Sequence, residues 1–500
     1  MDMVHNLLYG FGICLQPMNL FASFVGVFIG TLVGVLPGIG PVGAMSLLLP
    51  FSLGISPVTG IIMLAGIYYG AMYGGSTTSI LVNIPGEAAS VVTCLDGYQM
   101  ALQGRAGPAL GIAAFGSFIA GTAGLVGLMF LASPLAEFAI KFGPPEYFSL
   151  MVLGMSVVIY LTLGSILRGL VMAGIGLILS LIGQDIVTGS TRYTFGLVGL
   201  VDGVGLVPVA MGLFGISEIL LNLEKLEERI VLKTKIKNLF PNKDDWRKSI
   251  KPIGRGTLIG FFLGILPGGG AVISSFVSYG IEKKFSKHPE QFGKGAIEGV
   301  AGPESANNSA TSGGFIPLFS LGIPANVIMA LLLGSLMIHG IRPGPLLLTE
   351  NPEVFWGTVA SMYVGNVMLL ILNLPLIGMW VKILKIPYRI LFPLILLFCL
   401  IGAYSVSTSV FDIFVLLFFG VAGYFLRKFN YEPAPLVLAL VLGPMLEQNL
   451  RQSLLLSDGK LSIFLTRPLS LGCLFICFIL LLSAILPSLQ KKRRMVATDG

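Results

Sequence analysis

The chain reads as an all-α polytopic membrane protein, two inverted structural repeats with broken, re-entrant helices and about twelve membrane elements. Three observations predict this. Of 500 residues, 55% are hydrophobic and only 11% charged, and the mean hydropathy of +0.89 lies far above that of soluble globular chains. The apolar residues form continuous windows. A glycine–proline pattern occurs twice at a fixed separation.

A spanning helix needs roughly 20 apolar residues. Windows of about that kind fall at 20–50, 58–82, 108–133, 147–163, 166–183, 204–222, 256–280, 313–338, 355–380, 387–403, 410–426, 434–446 and 464–487. Their continuity favours helices over barrel strands, which would alternate polar and apolar residues. Residues 1–30 carry no Lys or Arg, so the basic start of a cleavable signal peptide is missing and the first apolar stretch is expected to persist. Cys14, Cys94, Cys399, Cys473 and Cys477 form no CxxC pair or Cys/His cluster, so neither a disulfide nor a metal site is expected. The net charge of +7 sits in short blocks beside apolar windows, a pattern of membrane topology rather than of nucleic-acid binding.

The repeat is the most informative feature. Gly26, Gly30, Gly34, Leu36, Pro37, Gly38 and Gly40 recur as Gly256, Gly260, Gly264, Leu266, Pro267, Gly268 and Gly270, each pair 230 positions apart. Gly74-Gly75 and Ile84-Pro85 answer Gly313-Gly314 and Ile323-Pro324 at an offset of 239, and Arg105 and Gly107-Pro108 answer Arg342 and Gly344-Pro345 at 237. The chain therefore divides into a first membrane repeat (1–223), a basic cytoplasmic connector (224–255), a second membrane repeat (256–490) and a basic cytoplasmic tail (491–500). The connector holds ten Lys/Arg, whereas the first 104 residues hold none. Lys283, Lys284, Lys287 and Lys294 follow the second LPG element, but no base follows the first between Pro50 and Pro57. Halves of opposite orientation would produce that asymmetry. If 251 and 283 both face the cytoplasm, residues 256–280 turn back inside the membrane, which is tolerable only where the broken backbone is buried in protein or lines a wet cavity.

The breaks and the polar tracts beside them are the candidate site. Gly26, Gly30 and Gly34 on one helical face read first as close helix packing. Pro37, Gly38 and Gly40, with Pro267, Gly268 and Gly269, would free backbone groups for a substrate or an ion, or simply kink the helix. Gly75, Ser76, Thr77, Thr78 and Asn83 could bind a carboxylate, with Ser79 reserved for an ion; ordinary interhelical hydrogen bonding is the other reading. In the second half, Pro303 suits a first helical position. Glu304 would then sit in the opening turn with Asn308, Thr311 and Ser312 on its face. A carboxylate in that setting is costly unless paired or protonatable. Glu304, with Ser305, is thus the ion-coupling candidate, and Asn307, Asn308 and Thr311 join the substrate-binding set. An aqueous loop is the alternative for this tract. Arg105 and Arg342 could attract an anion or merely end loops. Asp96, Glu137, Arg168, Asp185, Arg192, Asp202 and Asp412 read as interfacial charges, and His5, His288 and His339 are too dispersed for a metal cluster.

At these motifs the chain resembles the large membrane subunit of the tripartite tricarboxylate transporters, the TctA-like permeases. The resemblance rests on residues 30–41, 73–111 (YGGSTTSILVNIPGEAASVVTCLDGYQMALQGRAGPALG), 264–270, 302–324 (GPESANNSATSGGFIPLFSLGIP) and 339–347. It implies a multi-pass subunit of the bacterial inner membrane. That subunit would work with a periplasmic solute-binding protein and a small membrane subunit to import small di- or tricarboxylates, citrate being the family's type case. Uptake would be driven by Na⁺ or H⁺, with no cofactor. No GxSxG, HExxH, DDxxD or Walker A sequence supports an enzyme. A channel, or a permease for an unrelated solute, is the rival reading.

Overall fold

Glycine spacing decides how the first elements pack. In the computed structural model, which describes residues 3–36, 40–161, 165–185, 188–224, 238–266, 270–384 and 388–485, the helix Pro17–Val35 starts with proline at its first turn and ends at extended Leu36. The helix Gly40–Ser52 follows the break, and Pro57–Val82 starts from a Ser56 cap. A methyl group added at Gly26, Gly30 or Gly34 would lie 2.2, 2.5 or 2.3 Å from the carbonyl oxygens of Met63, Ile67 and Ala71. Only glycine lets the two backbones touch there. Because the partner numbers rise together, Pro17–Val35 and Pro57–Val82 run parallel.

The second half repeats this packing. The helix Lys243–Ile265 opens on a capping box between Asn242 and Asp245. Its Gly256, Gly260 and Gly264 press against the carbonyls of Gly302, Ala306 and Ala310, at 2.3, 2.1 and 2.4 Å from where a Cβ would stand. Those residues belong to Glu298–Leu321, again a parallel neighbour. The helix Gly270–Phe285, which joins them in sequence, returns alongside both. Arg255, before the break, forks onto Glu282 near the end of the returning helix, with Nε donating to Oε1 at 2.8 Å and Nη2 to Oε2. The helices Lys243–Ile265 and Gly270–Phe285 therefore form a hairpin; Pro267, Gly268 and Gly269 between them lie outside the described residues, as do Pro37 and Gly38.

Several windows need correction. Residues 20–50 form two helices, not one; 256–280 also forms two, as a turn-back of the chain requires, but the first of them is already helical from Lys243, ahead of 256. The window 313–338 breaks at Gly322, whose φ of +70° is left-handed, and resumes at Val327 after the Asn326 cap. Pro303 is not a first helical residue, because the helix has already begun at Glu298. Among the described residues, six helices are long and apolar enough to cross a bilayer: Pro17–Val35, Pro57–Val82, Ala106–Ala139, Leu206–Glu224, Pro352–Asn373 and Val410–Lys428. Several other apolar helices that the windows anticipated are shorter, such as Val327–Ile338 and Ile166–Ser180.

The chain forms two compact units, 1–137 with 207–424 and 138–206 with 425–500. Each draws on both sequence halves. The larger contains both glycine-packed hairpins. In the smaller, Gly176 of Ile166–Ser180 abuts the Leu436 carbonyl of Ala434–Leu456, around a core of Ile159, Ala173 and Ala439. A two-residue β-pairing, Gly183–Gln184 with Thr191–Arg192, is fastened to this unit by charge. Arg192 bonds Glu447 at 2.8 Å and Arg451 bonds Asp185 at 2.8 Å, so Asp185 and Arg192 are indeed paired.

Candidate functional site

Two polar helices, Pro57–Val82 and Glu298–Leu321, carry the predicted hydroxyl, amide and carboxylate residues except Asn83, and both are buried nearly throughout. Close packing explains why. Glycine and other small residues on their mates draw the helices inward, and the hydroxyls and amides must then find partners inside the protein. The tract from Gly302 to Gly314 is helical, which removes the aqueous-loop alternative.

Glu304 is the meeting point of the two halves. It is 1% exposed. Its Oε2 accepts from Ser76 Oγ at 2.6 Å, and its Oε1 accepts from Thr93 Oγ1. Asn308 donates to the Glu304 carbonyl at 3.1 Å and to Ser117 Oγ at 2.7 Å. Ser76, Thr77, Tyr73 and Ser117 line a small cavity beside this cluster, with room for about one water molecule.

A second buried carboxylate, Glu87, sits one helical turn along. It caps the short turn Ala88–Ser90. Its Oε2 accepts from the Ala89 amide at 2.5 Å and its Oε1 from Asn307 Nδ2 at 3.2 Å. Gly75 and Gly86 make room for it: a Cβ on Gly75 would meet Glu87 Cγ at 2.9 Å, and one on Gly86 would meet the Gly34 carbonyl at 1.9 Å. The segment thereby lies against the end of Pro17–Val35, where Thr78 Oγ1 donates to the Val35 carbonyl at 2.7 Å. Among the described residues, no basic side chain forms an ion pair with Glu87 or Glu304.

The remaining predicted residues divide plainly. Ser79 donates to the Ser90 carbonyl at 3.0 Å rather than to Glu304. Thr311 donates to the Asn307 carbonyl at 3.0 Å. Ser305 is buried with no hydrogen-bond partner among the described residues. Gly40 begins the first returning helix with a φ of +66°. Asn83 does not join the site, because it is an exposed left-handed residue ending Pro57–Val82. Arg105 is tied to Asp245, and Arg342 is exposed.

Sequence reasoning missed three residues. Glu87 and Thr93 lie in the quoted 73–111 stretch, but their spacing from Ser76 carries no helical period, since two short turns intervene. Asp96 is not an interfacial charge. It is fully buried, its Oδ1 accepts from the amides of Gly293, Gly295 and Ala296 at 2.8–2.9 Å, and its Oδ2 accepts from Tyr279 at 2.9 Å. It ties the first half to the loop that launches Glu298–Leu321.

The family model described as "Tripartite tricarboxylate transporter TctA family" matches residues 20–438. An uncharacterized 52.8 kDa protein in the TAR-I ttuC' 3'region of Agrobacterium vitis is 52% identical over 499 residues, 100% of this chain and 99% of the relative. An uncharacterized protein in the TAR-II ttuC' 3'region of the same organism is 52% identical over 240 residues, 48% of this chain and 99% of the relative. No solved structure matches the chain.

Proposed function

Since the chain belongs to the tripartite tricarboxylate transporter TctA family, we propose that it is the permease that imports small di- or tricarboxylates by alternating access, driven by a cation gradient. On this reading it works in the bacterial inner membrane with a periplasmic solute-binding protein and a small membrane subunit. The observation that carries the reading is Glu304, a buried carboxylate held jointly by hydroxyls of the other half, with no basic partner among the described residues.

The chemistry follows from cost. A buried carboxylate without a countercharge is strongly disfavoured and is relieved by a proton or a cation. Ser76 and Thr93 use their hydrogens on Glu304 while their oxygens remain free to accept, so the group can hold a cation in the charged state. The duplicated LPG motifs, of which Pro37, Gly38, Pro267, Gly268 and Gly269 lie outside the described residues, would on this reading offer the backbone N–H groups of their glycines to substrate carboxylates. Space for about one water beside Ser76 corresponds to a closed form, which must open to admit substrate. The repeated hairpin with its parallel neighbour supports two related repeats. The uneven distribution of bases supports their opposite insertion.

The test is uptake of a carboxylate panel into proteoliposomes with the binding protein present, under separate Na⁺ and proton gradients. Glu304→Gln is expected to abolish gradient-driven accumulation while sparing substrate exchange. Undiminished accumulation by that variant would remove Glu304 from the coupling role.

A further inference from the structure

The second carboxylate has a use that Glu304 does not exhaust. Both oxygens of Glu87 accept hydrogen bonds from groups that can only donate, the Ala89 amide and Asn307 Nδ2. That arrangement suits an ionised carboxylate. Glu87 is 7% exposed, and no basic side chain among the described residues pairs with it. A charge of this kind needs a countercharge. Asn307 is 1% exposed, and its Oδ1, on the same amide that reaches Glu87, is buried with no hydrogen-bond partner among the described residues. An orphan carbonyl oxygen forfeits its hydration for nothing unless a ligand meets it. An anionic oxygen and an unpartnered neutral oxygen, carried by two side chains that hydrogen-bond to each other, are the oxygen ligand types that suit a hard cation.

We infer that Glu87 and the Asn307 side-chain oxygen form a Na⁺ site separate from the carboxylate of Glu304, so that one turnover engages both buried acids. A proton would satisfy Glu87 alone and leave Asn307 Oδ1 unmet, whereas a cation satisfies both. Asn307 lies on the helix that carries Glu304, and Glu87 belongs to the other half. The ion would therefore bridge the halves and favour the closed arrangement, and its release would loosen it. This rests on the transport reading above and adds the identity and place of one coupling ion.

The experiment is equilibrium binding of radiolabelled Na⁺ to the purified full-length protein in nanodiscs, without substrate, so that it is read independently of uptake. Glu87→Gln is expected to lose one bound Na⁺ per chain. Asn307→Ala should weaken the same site at least about tenfold, equivalent to about 1.4 kcal/mol, whereas Glu304→Gln retains it. Glu87→Asp should restore part of the binding. Monodisperse elution checks folding, and Asn307→Ala carries the test if Glu87→Gln does not fold. Wild-type stoichiometry and affinity in Glu87→Gln or Asn307→Ala, or no Na⁺ binding by the wild-type protein, would overturn the site. A protein that binds Na⁺ as expected but accumulates no carboxylate would instead overturn the transport reading.

Discussion

One methyl group at Gly260 should cost more than its size implies. A Cβ there stands 2.1 Å from the Ala306 carbonyl oxygen and 2.7 Å from that residue's carbonyl carbon and Cα, where ordinary contact begins at 3.4 Å. The helix Lys243–Ile265 would have to withdraw by roughly 1.3 Å, the difference between 3.4 and 2.1 Å. Gly256 and Gly264 pin it one turn to either side, so the strain cannot be shed by tilting. Overpacking of this kind costs about 1–3 kcal/mol. Gly254, in the same helix, faces open space, so Gly254→Ala is expected to gain up to about 1 kcal/mol from helix propensity alone. Gly260→Ala gains the same propensity, so the two alanine variants should differ by the overpacking cost of about 1–3 kcal/mol, which is roughly 1–3 °C in melting temperature for a chain of this length. Thermal unfolding in detergent, read by fluorescence-detected size exclusion, measures the difference. Equal melting of the two variants would refute the glycine-contact reasoning for the whole hairpin. Ala306 lies two residues beyond Glu304, so Gly260→Ala should also lower uptake.

Other outcomes follow from the same geometry. Asp96→Ala strands the amides of Gly293, Gly295 and Ala296 at about 1–3 kcal/mol apiece. It should melt well below Asp96→Asn, which keeps one acceptor, and equal melting would contradict the anchor. Arg255→Ala leaves Glu282, 1% exposed as a side chain, without its fork. The loss is expected near 1–3 kcal/mol, below the figure for a fully buried pair because the arginine is 38% exposed. An Arg255→Gln/Glu282→Gln double variant should recover part of it in the same melting assay. Ser76→Ala and Thr93→Ala each remove a hydroxyl from Glu304. Each should shift half-saturation for the driving ion by at least about tenfold, given 1.5–3 kcal/mol for bonds to a charged group, and the double variant should be non-additive. Unchanged ion dependence in both would place Glu304 outside coupling.

Much of this was legible in residue order. The glycine triplets before each LPG predicted close helix contacts, and the structure supplies the partners, carbonyls at Met63, Ile67 and Ala71 and at Gly302, Ala306 and Ala310. Glu304 stood out because a carboxylate inside an apolar tract is costly. What stayed hidden depends on folding across the chain. Glu87 and Thr93 reach the site through two short turns with no periodicity. The role of Asp96 appears only when glycines 200 residues away turn their amides toward it, Gly293 with a φ of +81° and Gly295 with +104°. Hydropathy marked apolar stretches but not their interruptions, so windows merged across Gly322 and across both breaks. The start of the second hairpin at Lys243 was masked by its charged first turns, which are helical because a capping box starts them.

The most direct measurement places a single cysteine at Ser76 in a background where Cys14, Cys94, Cys399, Cys473 and Cys477 are replaced, and follows its modification by a water-soluble maleimide during transport. If the polar helices of both halves enclose the transported anion, labelling occurs during turnover and slows when a saturating carboxylate and the driving ion are added. Labelling at one unchanged rate with and without substrate, or none at all while uptake continues, would show that the anion passes elsewhere.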